Sequence, residues 1–168
     1  MMVLDHIAFR VMDRKRASEF FQKVMGYRVQ EEFNIPFDDG TKADCIALEP
    51  SFLGLSYGMP EFFVSDGEPG SIVGEWVRQR EDIGGIHHIA FSVPDIDAAV
   101  ADWRAKGVEF SSAEPIRCPE EEMVQIFSKP IDALGGIVFE LIQRGERGFC
   151  KSSVKKLMES SVEEGELT

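Results

Sequence analysis

The spacing of hydrophobic and polar positions changes several times along the chain, and each change marks an element. From Val3 to Val11 the residues alternate: Ile7, Phe9 and Val11 fall on one face, and His6, Ala8 and Arg10 on the other, the period of a strand. The period then lengthens to that of a helix. Asp13 is placed to cap it, Ala17, Phe20, Phe21 and Val24 form its apolar stripe, and Gly26 stops it. Strand-like runs follow at Tyr27–Phe33, Asp44–Glu49 and Met59–Val64. A new strand, Ile86 to Val93, leads through Pro94 to the cap residue Asp95. The helix after it turns Ile96, Ala99, Val100 and Trp103 inward and ends at Gly107. Further strand-like runs are Val108–Ser111, Met123–Ser128 and Ile137–Ile142. Pro69 and Gly70 open a short helix through Trp76 and Arg80, Gly84-Gly85 makes a turn, and a last amphipathic helix spans Ser153 to Ser161.

The two halves repeat each other. H-I-A-F-R-V-M-D, starting at His6, returns as H-I-A-F-S-V-P-D, starting at His88, an offset of 88 − 6 = 82 residues. The same offset carries Ala17 onto Ala99 and Phe21 onto Trp103, and with one residue deleted Gly26 maps onto Gly107. The expected organisation is a single domain with an α+β fold. Residues 1–66 form one βαβββ module, 67–84 a linker helix, 85–148 a second module, and 149–168 a C-terminal helix with an acidic tail.

Composition narrows the function. A chain of 168 residues that is 43% hydrophobic can bury a core. No stretch has the length and apolarity of a membrane span, and no basic start leads into an apolar run, so a soluble, cytoplasmic protein is expected. A net charge of −12 argues against nucleic acid or an anionic membrane as partner. Part of that charge lies after Leu157, where Glu159, Glu163, Glu164 and Glu166 suggest a solvated, frayed end. Cys45, Cys118 and Cys150 are odd in number and scattered, which argues against a disulfide framework and against a thiolate metal site.

The candidate chemistry lies on the faces opposite the bulky ones. His6/Ala8/Arg10 and His88/Ala90/Ser92 are small and polar, so they leave room for a ligand rather than filling a core. Glu140 stands alone in G-I-V-F-E-L-I, on the face shared with Val138 and Ile142. A carboxylate in so apolar a strand needs a partner, either a metal ion or an arginine such as Arg10, Arg117 or Arg144. A single histidine on a strand is ordinarily a hydrogen-bonded core residue. Two of the three histidines at equivalent places in a repeat favour metal ligation by His6, His88 and Glu140 instead, with His87 on the opposite face and outside the set. Two imidazoles and a carboxylate suit non-haem Fe(II), while Mn, Co, Ni and Zn accept the same donors. A fourth oxygen ligand would make a Lewis-acid centre, and Glu61, in M-P-E-F-F-V, is the residue placed to supply it.

Four segments carry a family resemblance: L-D-H-I at Leu4–Ile7, G-G-I-H-H-I-A at Gly84–Ala90, V-Q-I-F-S-K-P at Val124–Pro130 and F-E-L-I-Q-R at Phe139–Arg144. With Gly148-Phe149 leading into the last helix, they resemble the vicinal-oxygen-chelate superfamily, and within it the catalytic half of the 4-hydroxyphenylpyruvate dioxygenases. That resemblance implies paired modules whose sheets form a shared half-open barrel around a divalent metal, with a homodimer compatible. It places iron ligands at His6, His88 and Glu140, the active-site glutamine at Gln125 and a ring-stacking phenylalanine at Phe127. Phe149 and the C-terminal helix would close the cavity. Val138 and Val154 stand where that family carries aromatics, and His87 stands where it has glutamine, which points to a different substrate. Arg10 and Ser92, on the cavity face, complete the candidate substrate contacts.

Three functions fit these residues. The first is an Fe(II) dioxygenase acting on a small 2-oxo acid, with Gln125 orienting the substrate. The second is an epimerase, isomerase or lyase working through a metal-stabilised enolate, with Glu61 in the metal's coordination sphere. H-H-I-A-F-S-V-P-D-I-D-A-A-V resembles methylmalonyl-CoA epimerases in this respect. The third is a protein that binds a small molecule without turning it over.

Overall fold

A computed structural model describes residues 1–51, 59–118, 123–145 and 150–163. The chain has the expected α+β class: two βαβββ modules, a short helix after the first and a longer one after the second. Its strands are β1 (Val3–Arg10), β2 (Tyr27–Pro36), β3 (Lys42–Pro50), β4 (Glu61–Gly67), β5 (Gly85–Ser92), β6 (Ile116–Cys118), β7 (Met123–Phe127) and β8 (Val138–Gln143). Its helices are α1 (Arg14–Met25), α2 (Ile72–Arg78), α3 (Ile96–Ala105) and α4 (Lys151–Glu163). The strand order is β2-β3-β4-β1 in the first module and β5-β8-β7-β6 in the second. By contacts the chain divides into two compact units, His6–His87 and the residues from His88 onward joined by Met1–Asp5.

The repeat sets the local structure of both units. Asp13 and Asp95 are extended, and each accepts a hydrogen bond from the backbone N–H three residues on, capping α1 and α3. Gly26 ends α1 in the left-handed conformation at φ 72°, where a side chain would be strained. In the first unit β1 and β4 are parallel and β3 is antiparallel to β4. Phe21, Tyr27, Ile46, Leu48, Phe62 and Val64 pack with Ile7, Phe9 and Val11 beneath α1. In the second unit β5 and β8 are parallel and β7 is antiparallel to β8. Ile96 and Val100 of α3 pack on Val124, Ile126 and Leu141. In both units the bulky alternation set therefore meets the helix, as its period implies.

Three expectations are corrected. The run Val108–Ser111 is not the second strand of its module, because Val108 folds back onto α3, its N–H donating to the Trp103 carbonyl. The run then pairs only through the bridge Phe110–Ser128, and Ile116–Cys118 forms β6. The last helix runs from Lys151 to Glu163, past the expected ends at Ser153 and Ser161, with Met158 and Ser161 continuing its buried face. Cys118 and Cys150 form a disulfide, with Cα atoms 6.5 Å apart. Distance along the chain hid this pair, because Cys118 ends β6, Cys150 precedes α4, and α4 packs on β6. Cys45 remains a buried free thiol.

Candidate metal centre

In the second unit, one sheet face collects the polar residues. The β5–β8 register sets His88 beside Val138 and Ala90 beside Glu140, while β7 sets Phe127 beside Glu140 and Gln125 beside Ile142. His88, Gln125, Phe127, Val138 and Glu140 are all buried. The Nε2 atom of His88 lies 3.1 Å from Oε2 of Glu140. The other carboxylate oxygen, Oε1, accepts a 2.9 Å hydrogen bond from Nε2 of Gln125. The Phe127 ring sits 4.8 Å from the His88 ring, tilted by 47°. Leu157 of α4 packs on Phe127 and Val138, so the helix covers this face.

The donor set fits a cation. A neutral imidazole nitrogen and a carboxylate oxygen each present lone pairs, and at 3.1 Å in a buried setting they require a proton or a metal ion between them. The arginine alternatives are spent elsewhere: Arg117 donates to Asp97 at 2.7 and 2.8 Å, and Arg144 to Asp5 at 2.9 and 2.6 Å. His88 and Glu140 are thus a buried candidate pair of metal ligands within the second unit.

In the first unit His6 is buried on β1, on the face it shares with Ala8 and Arg10. Arg10 turns to α2, its guanidinium carbon 5.6 Å from the centre of the Trp76 ring, while Arg80 lies at 3.6 Å from the same ring. His87 is also buried and meets Trp76 edge-on at 5.5 Å. Glu61 is half-buried and stands beside His6 in the β1–β4 register. By register, the residue of the first unit that matches Glu140, beside the alanine two positions past the histidine, is Phe63. Glu61 matches Val138.

Other sequence candidates take the following places. Val138 and Val154 are buried, Ser92 is half-buried at the end of β5, and Phe149 lies outside the described residues. Sequence reasoning missed Ser153, which is 1% exposed on the inner face of α4. The signal was its place beside Val154, four residues before Leu157, on the stripe that helical spacing turns inward.

With this geometry in view, the chain can be set beside known proteins. Residues 5–127 match the model of the Glyoxalase/Bleomycin resistance protein/Dioxygenase superfamily. The chain belongs to this superfamily. Human mitochondrial methylmalonyl-CoA epimerase is 30% identical over 140 residues, covering 83% of this chain and 73% of that protein. Among solved structures, a mutant 4-hydroxymandelate synthase from Streptomyces coelicolor shares the fold at a TM-score of 0.78 with 22% identity. The match covers 95% of this chain and 53% of the synthase. A methylmalonyl-CoA epimerase structure matches at a TM-score of 0.68 with 25% identity, over 86% of this chain and 96% of the epimerase. No described helix is long and apolar enough to cross a membrane.

Proposed function

We propose that this protein is a non-haem Fe(II) dioxygenase that acts on a small 2-oxo acid, with His6, His88 and Glu140 holding the metal. The observation that carries this reading is α4 lying over the face of His88, Gln125, Phe127 and Glu140. A three-ligand set leaves coordination positions for a chelating substrate and O2, and Fe(II) there would supply oxidative decarboxylation coupled to hydroxylation. Oxygen chemistry needs water kept away from reactive species, and a packed helix over the site does that. Gln125 ties down one carboxylate oxygen of Glu140, leaving the other for the metal, and Phe127 fixes the plane of the His88 ring. The likeness to 4-hydroxymandelate synthase supports the reading at the level of fold. It leaves uncovered 100 − 95 = 5% of the 168 residues, about 8 residues, so it takes in part of the 13-residue α4.

A second reading, enolate chemistry of the epimerase kind, is supported by the 30% identity to human methylmalonyl-CoA epimerase. It requires a group that removes and returns a proton beside a carbonyl. Glu61, beside His6 in the β1–β4 register, is the candidate for that group, whereas burial pushes the Cys45 thiol up and makes it a poor base. The two readings separate in one experiment. Under the first, Fe(II)-loaded protein consumes O2 with at least one member of a panel of aryl and alkyl 2-oxo acids, and His88→Ala abolishes it. No O2 uptake across the panel, together with metal-dependent solvent-deuterium exchange into a 2-methyl acyl thioester, would establish the second.

A further inference from the structure

Two buried polar atoms on the covered face of the second unit make no hydrogen bond: Oε1 of Gln125 and Oγ of Ser153. Both residues are 1% exposed. The orientation of Gln125 is fixed chemically. A carboxylate only accepts, so the amide nitrogen must face Glu140, and the carbonyl oxygen is left pointing away with acceptor capacity unused. Ser153 is equally distinctive. A helix serine normally satisfies its hydroxyl on a carbonyl of the preceding turn, as Ser160 does on Leu157 and Ser161 on Met158. The Ser153 hydroxyl does not.

Packing sets these two atoms over the same stretch of sheet. At one end of α4, Cys150 clusters with Met123 and Ile142, and further along Leu157 clusters with Phe127 and Val138. The helix therefore runs along β7. Met123 to Phe127 spans roughly 13 Å of strand, and Cys150 to Leu157 roughly 10 Å of helix. Gln125 is midway along the first and Ser153 near the middle of the second, so Ser153 falls on the stretch of α4 that packs along the part of β7 holding Gln125. Buried polar groups left unmatched are costly, and two on one covered face, one of them on the residue that holds the Glu140 carboxylate, mark a place for a ligand group. Gln125 Oε1 can only accept, whereas the Ser153 hydroxyl can also donate. A single hydroxyl satisfies both by donating to the first and accepting from the second.

We propose that Ser153 and Gln125 form a polar subsite beneath α4 that receives a hydroxyl on the side chain of the ligand, making Ser153 a specificity-determining residue. The 2-oxo acid end of that ligand rests on the reading given under Proposed function; the subsite itself rests on the two orphan atoms. The test compares 2-oxo acids that differ by one hydroxyl: 2-oxopentanoate against 5-hydroxy-2-oxopentanoate, and phenylpyruvate against its 3- and 4-hydroxy derivatives. Binding to Co(II)-loaded protein is followed by calorimetry. In at least one pair the hydroxylated acid binds 10-fold or more tighter. Ser153→Ala cuts that preference to 3-fold or less while leaving the parent acid within 2-fold. Ser153→Thr, which keeps the hydroxyl, retains the preference and separates loss of the subsite from loss of folding. Equal binding within every pair, or a preference that survives Ser153→Ala in folded protein, overturns the proposal and leaves the 2-oxo acid reading standing. If no 2-oxo acid binds, that reading fails, and phenol against benzene becomes the test. A phenol preference that Ser153→Ala removes upholds the subsite, and equal binding ends it.

Discussion

The two units are built alike and equipped differently. Along the histidine-bearing strands, His6 and Ala8 match His88 and Ala90. On the neighbouring strands, matched by register, Phe63 stands for Glu140, Ala47 for Phe127 and Cys45 for Gln125. The helices that follow the last strand of each module differ as well. The short α2, Ile72–Arg78, presents Trp76 to Arg10, whereas α4, at Lys151–Glu163, packs Leu157 on Phe127 and Val138. One module thus supplies an imidazole beside Arg10 and Glu61, and the other supplies an imidazole, a carboxylate, its clamp and its cover. A duplicated scaffold needs only one of its copies to carry the polar constellation, because burying a second carboxylate and amide without partners would cost stability.

The sharpest way to break this comparison is to exchange its carboxylates. Glu140→Ala is expected to weaken metal binding by more than about 100-fold, since it removes a ligand outright, while Glu61→Ala changes it by less than about 3-fold. Calorimetric titration of both with Co(II) decides, and equal losses would give the first unit a second ligand. Next comes the clamp. Gln125→Leu leaves Glu140 untethered and should cost roughly 10- to 100-fold in metal affinity, whereas Cys45→Ala, its counterpart, should leave affinity unchanged.

Helix α4 gives a stability prediction. Leu157→Ala empties a buried position against Phe127 and Val138 and should lower unfolding free energy by about 2–4 kcal/mol in a denaturant titration. A change under about 1 kcal/mol would mean that α4 does not hold the cover in place.

The smallest effect concerns Cys45, whose thiol burial pushes up. The native state then keeps a proton that the unfolded chain releases above pH of about 8.5. Its contribution is intact below that pH and is lost as pH rises, by about 1.4 kcal/mol per unit at most. Cys45→Ala should flatten the alkaline limb of the stability curve by that slope. An unchanged limb would mean that Cys45 ionises without opening its strand.

Much of this was legible beforehand because it depends on neighbours along the chain. Alternation named the faces of β1 and β5, Asp13 and Asp95 announced the helix starts, and the repeat made His6 and His88 equivalent. The isolation of Glu140 in an apolar strand marked it as partnered, and Glu140 lies 3.1 Å from His88. Sequence spacing does not reveal register, so it did not separate Glu61 from the position that matches Glu140. A carboxylate two positions off still lies on the correct face, yet it sits about 7 Å along the strand.

The sequence by itself determined the elements, their faces and the doubled histidine, since backbone sterics and side-chain periodicity are local. Tertiary structure decided which residue stands beside which. It set Phe63 rather than Glu61 against the position of Glu140, joined Cys118 to Cys150, directed Arg10 to Trp76, and packed Leu157 of α4 on Phe127 and Val138. Register and helix docking follow from the packing of whole faces between segments far apart in the chain, and no short run of residues encodes them.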